Sequence, residues 1–174
     1  MKHWDQLCEM AHDNYGLITY SEAKNVCVAD VELSRWVKKG WLEKRGWGVY
    51  RIAGYPVEEK SRFAEAVALC GGGVVFGEGV LALHNLALVN PGKVTVAVMR
   101  KLRRTLPYWV EVKRMATVNE AMYFGIPAQR LDDAIRTCRA TVPRDRLLSA
   151  IAAAEKEGLL FGPELLRLKE EMSK

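Results

Sequence analysis

Apolar and polar positions change their rhythm along this chain, and that rhythm predicts most of its elements. Within residues 4–13, Trp4, Leu7 and Ala11 fall on one side at helical spacing, and Gly16 follows as a stop. Thr19-Tyr20-Ser21-Glu22 has the form of a capping box, which opens a short helix to about Val26 with Ala23 and Val26 inward. Asp30 is placed to cap a third helix over residues 31–39, and Gly40 ends it. Two apolar-bearing runs, 41–44 and 49–52, then flank Gly46-Trp47-Gly48, which predicts a β-hairpin. Gly54-Tyr55-Pro56 reads as a boundary. Beyond it, Phe63, Ala66, Val67 and Cys70 recur at helical spacing, predicting an amphipathic helix over 58–69. A buried strand is expected at 74–76 and a helix at 79–86. Alternation at Val94, Val96 and Val98, and at Val110 and Val112, marks two half-buried strands. From Gln129 onward the pattern is helical, with Pro143 and Pro163 in first-turn positions and Gly158 as a stop.

Three short helices and a hairpin within about 55 residues follow the order of a winged helix-turn-helix, whose third helix enters the major groove. The expected fold is therefore α+β. A winged helix-turn-helix spans residues 1–55, and a larger mixed α/β domain spans 56–174.

Composition adds mainly exclusions. The chain has 174 residues, 49% hydrophobic and 27% charged, which argues against wholesale disorder. No apolar run approaches the roughly 20 residues of a membrane-spanning helix. The first thirteen residues carry acids and no apolar stretch, so no secretory signal is read there, and a cytoplasmic location is expected. Cys8, Cys27, Cys70 and Cys138 lie far apart without a Cys-x-x-Cys pair. Buried free thiols are the expectation, with neither a metal nor another cofactor.

Charge is informative through its placement. The net charge of +5 is modest. Between Arg35 and Arg51, however, six basic side chains stand against one acid, Glu43, and between Arg100 and Arg114 six stand against Glu111. Such clusters are the electrostatic footprint of a nucleic-acid binder. On the third helix, Leu33, Trp36 and Val37 form the inward stripe, leaving Val31, Ser34, Arg35, Lys38 and Lys39 on the other side. Ser34, Arg35, Lys38 and Lys39 are of types that read base edges or hold phosphates. Lys44, Arg45 and Arg51 in the hairpin would hold backbone phosphates. Trp47 at its tip can pack or stack on a base. Arg100, Lys101, Arg103 and Arg104 form a second cluster that can extend the DNA contact, dock an acidic partner, or solubilise a loop.

Signals for an enzyme are weak. Gly71-Gly72-Gly73 precedes a strand, the reverse of a phosphate-binding loop, and reads as a linking turn. Asp132 and Asp133 would diverge on a helix and are better explained as first-turn acids. His84 sits among leucines with no nucleophile setting nearby. No catalytic residue is assigned. Two rival readings stay open: a winged helix that binds protein instead of DNA, and a metal-dependent nuclease using Asp132, Asp133 and a further acid.

The residues also carry a resemblance. Leu33 to Tyr50, with Trp36-Val37-Lys38-Lys39-Gly40-Trp41-Leu42 and Gly48-Val49-Tyr50, resembles the winged-helix segment of AbiEi-type antitoxins. Leu81-Ala82-Leu83-His84-Asn85-Leu86, the run from Pro91 to Val98, Gly125-Ile126-Pro127 and Arg130 to Ala134 follow in the family's order, so the likeness covers about residues 4–155. That resemblance implies a non-enzymatic antitoxin of a bacterial type IV, AbiE-like system linked to abortive phage infection. It implies repression of its own operon through inverted repeats in double-stranded DNA. It further implies neutralisation of a nucleotidyltransferase-like toxin, mainly by the C-terminal domain.

Overall fold

The capping box is formed as read: Thr19 Oγ accepts from the Glu22 N–H at 3.2 Å, and Glu22 reaches back to the Thr19 N–H at 2.7 Å. It starts one of eight α-helices that a computed structural model, describing residues 2–173, contains together with two β-sheets. The protein is mixed α+β, with its first three helices at the N-terminal end: α1 (Lys2–His12), α2 (Tyr20–Asn25) and α3 (Asp30–Lys38).

Asp30 is not the cap of α3. That position falls to Ala29, whose own N–H is bonded by Glu32 at 3.2 Å, while Asp30 is the first helical residue. Between α1 and α2 lies a strand the sequence pattern does not announce, β1 (Leu17–Thr19), three residues long. It pairs antiparallel with β3 (Val49–Ile52), which pairs antiparallel with β2 (Leu42–Gly46), giving a sheet of order β1-β3-β2.

The chain divides into two compact units. The first runs to Gly72 and also takes in Leu102–Leu106. It therefore extends past the boundary read at residue 55 and includes α4 (Ser61–Leu69). Its sheet is covered on both faces. On one side Ile18 and Leu42, with Tyr50 and Ile52, pack into a core with Leu7, Ala11, Ala23, Val28, Leu33 and Trp36 from α1 to α3. Leu17, Val49 and Arg51 are buried outside that core, and α4 packs along β1.

The second unit comprises Gly73–Lys101 and the chain from Pro107 onward. Its five-stranded sheet has the order β6-β5-β4-β8-β7. The strands are β4 (Val74–Val75), β5 (Val94–Val98), β6 (Val110–Arg114), β7 (Glu120–Tyr123) and β8 (Ile126–Gln129). The β5–β6 and β4–β8 pairs are parallel and the other two antiparallel. Gln129, read as the start of a helical region, instead ends β8, and β7 and β8 form a hairpin the helical reading passed over. Helices α5 (Glu78–Leu83), α6 (Leu131–Thr137), α7 (Arg144–Lys156) and α8 (Gly162–Ser173) complete the unit. Gly73, at φ +103°, passes so close to the Ala97 carbonyl that a Cβ would collide with it, which makes the triple glycine a tight strand entry.

Candidate nucleic-acid interface

Two helices joined by a four-residue turn present the first set of basic residues. After α2 the Cys27 N–H bonds the Lys24 carbonyl and the Val28 N–H the Ala23 carbonyl, both at 3.0 Å. This is a Schellman closure, with Cys27 at φ +62° where glycine is usual. It turns the chain so that Val28 is buried and α3 starts two residues later. Lys24 Nζ lies 2.6 Å from Asp30, and Tyr20 donates its hydroxyl to the same carboxylate at 3.0 Å. The Lys24 hydrogen bond, then that of Tyr20, holds Asp30 below the usual carboxylate range. The end of α3 is closed in the same way, through Gly40 and Trp41 bonding back to Val37 and Trp36.

The inward face of α3 is Leu33 and Trp36, and Trp4 sits edge-on to Trp36 with ring centroids 5.1 Å apart. Opposite, Val31, Ser34, Arg35 and Lys38 are exposed and, with Asp30, line an open concavity of about 400 Å³. Val31 is 67% exposed, although it is apolar. Arg35 and Lys38 have no carboxylate partner among the described residues. Lys39 follows the helix as its C-cap, and its ammonium stands 4.9 Å above the Trp41 ring, to one side of this group.

The hairpin separates its three basic residues by strand parity. Lys44 lies opposite Tyr50, on the sheet face that carries α1 to α3, and is exposed and unpaired among the described residues. Arg45 is the extra residue of a bulge between Lys44 and Gly46. Its Nε donates to Glu65 of α4 at 2.9 Å, and Glu43 lies 3.8 Å away, so its charge is answered within the fold. Arg51 is only 6% exposed and donates to the Tyr55 and Pro56 carbonyls at 3.4 and 3.1 Å. It closes the loop after β3, and burial leaves it no surface for a phosphate.

The second basic cluster is divided as well. Arg100 and Lys101 are exposed in the second unit, whereas Arg103 and Arg104 fall in the segment that belongs to the first. Arg103 is exposed. Arg104 is half-buried, its guanidinium 5.2 Å from the centroid of the Trp47 ring and one N–H donated to the Leu69 carbonyl at 3.2 Å. Trp47, at the hairpin tip, remains 74% exposed. No local pattern links Trp47 to Arg104, because the two lie in distant parts of the sequence. Val31 was legible on the outer side of its helix.

The other candidates have structural occupations. Asp132 and Asp133 both accept from Arg136 at 2.8 and 2.9 Å. Burial pushes Asp132 up, but hydrogen bonds from Arg136 and Arg130 outweigh it and hold the carboxyl below its ordinary value. His84 is buried and packs edge-on to Tyr123 at 4.4 Å. Among the described residues no group of three His, Cys, Asp or Glu side chains is placed to hold a metal ion. The four cysteines are free thiols. Burial pushes Cys70 to about 11 and Cys138 to about 12, while Cys8 is half-buried and Cys27 is exposed, contrary to the buried thiols expected. No described helix is long and apolar enough to cross a membrane.

No curated protein matches the chain. Residues 5–53, which run from within α1 to just past β3, match the model of a transcriptional regulator family, the AbiEi antitoxins.

Proposed function

We propose that this chain is the antitoxin of a bacterial type IV, AbiE-like system and represses its own operon by sequence-specific DNA binding in the cytoplasm. In this reading α2 and α3 are the helix-turn-helix, the β2–β3 hairpin is the wing, and the partner is double-stranded DNA with inverted repeats. The second unit neutralises a nucleotidyltransferase-like toxin, and the chain itself is not an enzyme. The observation that carries the reading is the outer face of α3. Ser34, Arg35 and Lys38 stand together in the open, and neither cation is matched by an acid, on a helix held from behind by Trp36 and Leu33. A solvated surface helix ordinarily mixes signs, whereas this face offers donors suited to guanine edges and phosphates. The family match over the same helices supports it. Lys39 flanks that face, and Lys44 adds a phosphate contact. Arg45 and Arg51 are left out of the DNA-contacting set by their partners within the fold.

The test is a gel shift on the DNA upstream of the protein's own gene, comparing wild type with Arg35→Ala/Lys38→Ala. A loss of about 100-fold supports the reading, since two base or phosphate contacts are removed. Equal affinity for both proteins would sink it. Affinity should also fall with salt at a slope of about −0.9 per phosphate neutralised. Co-expression rescue with a toxin-like open reading frame beside the gene tests the antitoxin half.

A further inference from the structure

The hairpin's tip does not present the hairpin's own arginines. Arg45 is paired with Glu65, and Arg51 is buried beneath the loop that follows β3. What stands at the tip is Trp47, 74% exposed between two glycines. One face of its ring is covered by Arg104, delivered from the loop between β5 and β6. That arginine is itself anchored through the Leu69 carbonyl, and the backbone of Gly71 lies close against it, since a Cβ there would come within 3.0 Å of its Nη2.

A tryptophan with most of its surface in water contributes little burial to the fold. Holding its ring in one orientation with a planar cation lowers the entropy cost of a later contact. Charge indicates which contact. Arg103 is exposed without a carboxylate partner among the described residues, and Lys44 lies on the strand that leads to the same tip. No acid occurs between residues 99 and 110 or between Lys44 and Ile52. Aromatic surface covered on one face by arginine, in segments without acids, suits the sugar–phosphate edge of a nucleic acid better than an apolar protein face.

We propose that Trp47, held by Arg104, lies against the sugar–phosphate rim of a DNA groove, with Arg103 pairing an adjacent phosphate. Arg104 is a positioning residue in this arrangement. The inference rests on the DNA-binding reading above and adds an element brought to the tip by a distant part of the chain.

The experiment uses the full chain and a labelled duplex of the upstream region, read by gel shift across a salt series and by tryptophan emission. Trp47→Ala should weaken binding about tenfold. Trp47→Phe should keep most of the affinity while losing part of the emission change seen when wild type binds. Arg103→Ala should reduce the salt slope by about 0.9. Arg104→Ala should weaken binding like Trp47→Ala, and the double variant should be no worse than Trp47→Ala alone. A purely structural Arg104 would lower the melting temperature without that non-additivity. If Trp47→Ala does not fold, the Phe variant's emission and the Arg103 slope decide. Wild-type affinity in Trp47→Ala, with binding still lost in Arg35→Ala/Lys38→Ala, overturns this inference and leaves the DNA reading standing. Loss of toxin rescue with DNA affinity intact would assign the tip to a protein and also overturn it. No DNA binding by wild type removes both.

Discussion

Helix α3 and the β2–β3 hairpin draw their charge from one basic window, yet their basic residues meet different fates. On α3 the inward stripe is narrow, and nothing covers the side opposite Leu33 and Trp36, so Arg35 and Lys38 remain in water. The hairpin belongs to a sheet with neighbours on both faces. A side chain there is assigned by strand parity to the α1–α3 face or to the other, and Arg45 and Arg51 were assigned to the other. Equal charge in two segments thus does not mean equal availability. On a helix the angular position decides, and on a doubly covered strand a basic side chain is taken up by partners within the fold.

The largest effect is expected on α3. Arg35→Ala/Lys38→Ala should cost about 100-fold in DNA affinity and leave thermal stability near wild type, because neither side chain is paired within the fold. A fall in melting temperature matching the affinity loss would erase the contrast. Arg51→Met should do the reverse. It removes hydrogen bonds from a buried cation to two carbonyls and should destabilise by about 2 kcal/mol in urea unfolding, with DNA affinity per folded molecule unchanged. Lys44→Ala, at an exposed hairpin residue with no carboxylate partner among the described residues, should weaken binding about fivefold and reduce the salt slope by about 0.9. Arg45→Gln should lower stability by about 1 kcal/mol, because it strands the mostly buried Glu65, and should leave that slope unaltered. The smallest effect concerns Asp30, whose carboxyl is held below its ordinary value by Lys24 and Tyr20. Its contribution is present above the unfolded carboxylate pKa and is lost as pH falls through the lower folded value. Melting curves from pH 5 to pH 2 should therefore converge for wild type and Asp30→Asn. Parallel curves would show that the pair adds nothing.

Much of this was legible in the sequence because it is local. The Thr19–Glu22 box, the two-faced α3 and the glycine-bounded hairpin are each written within ten or so residues. Arg51 shares the strand parity of the buried Val49, so its burial was legible too. Strand β1 was hidden by brevity, three residues set between a glycine turn and a helix cap. The β7–β8 hairpin turns at Phe124 and Gly125, both with positive φ, and that geometry is not encoded in a familiar turn pair. The Arg45–Glu65 pair and the Trp47–Arg104 stack join segments too far apart for any periodicity to connect them.

The first unit is not one continuous stretch of chain. The twenty-nine residues Gly73–Lys101 belong to the other unit and must leave the ribosome before Leu102–Leu106 can join the rest. A nascent chain arrested after α4 lacks Arg104, so Trp47 is then without the cation that covers its ring. An N-terminal fragment ending at residue 72 is in the same position and lacks part of the first unit.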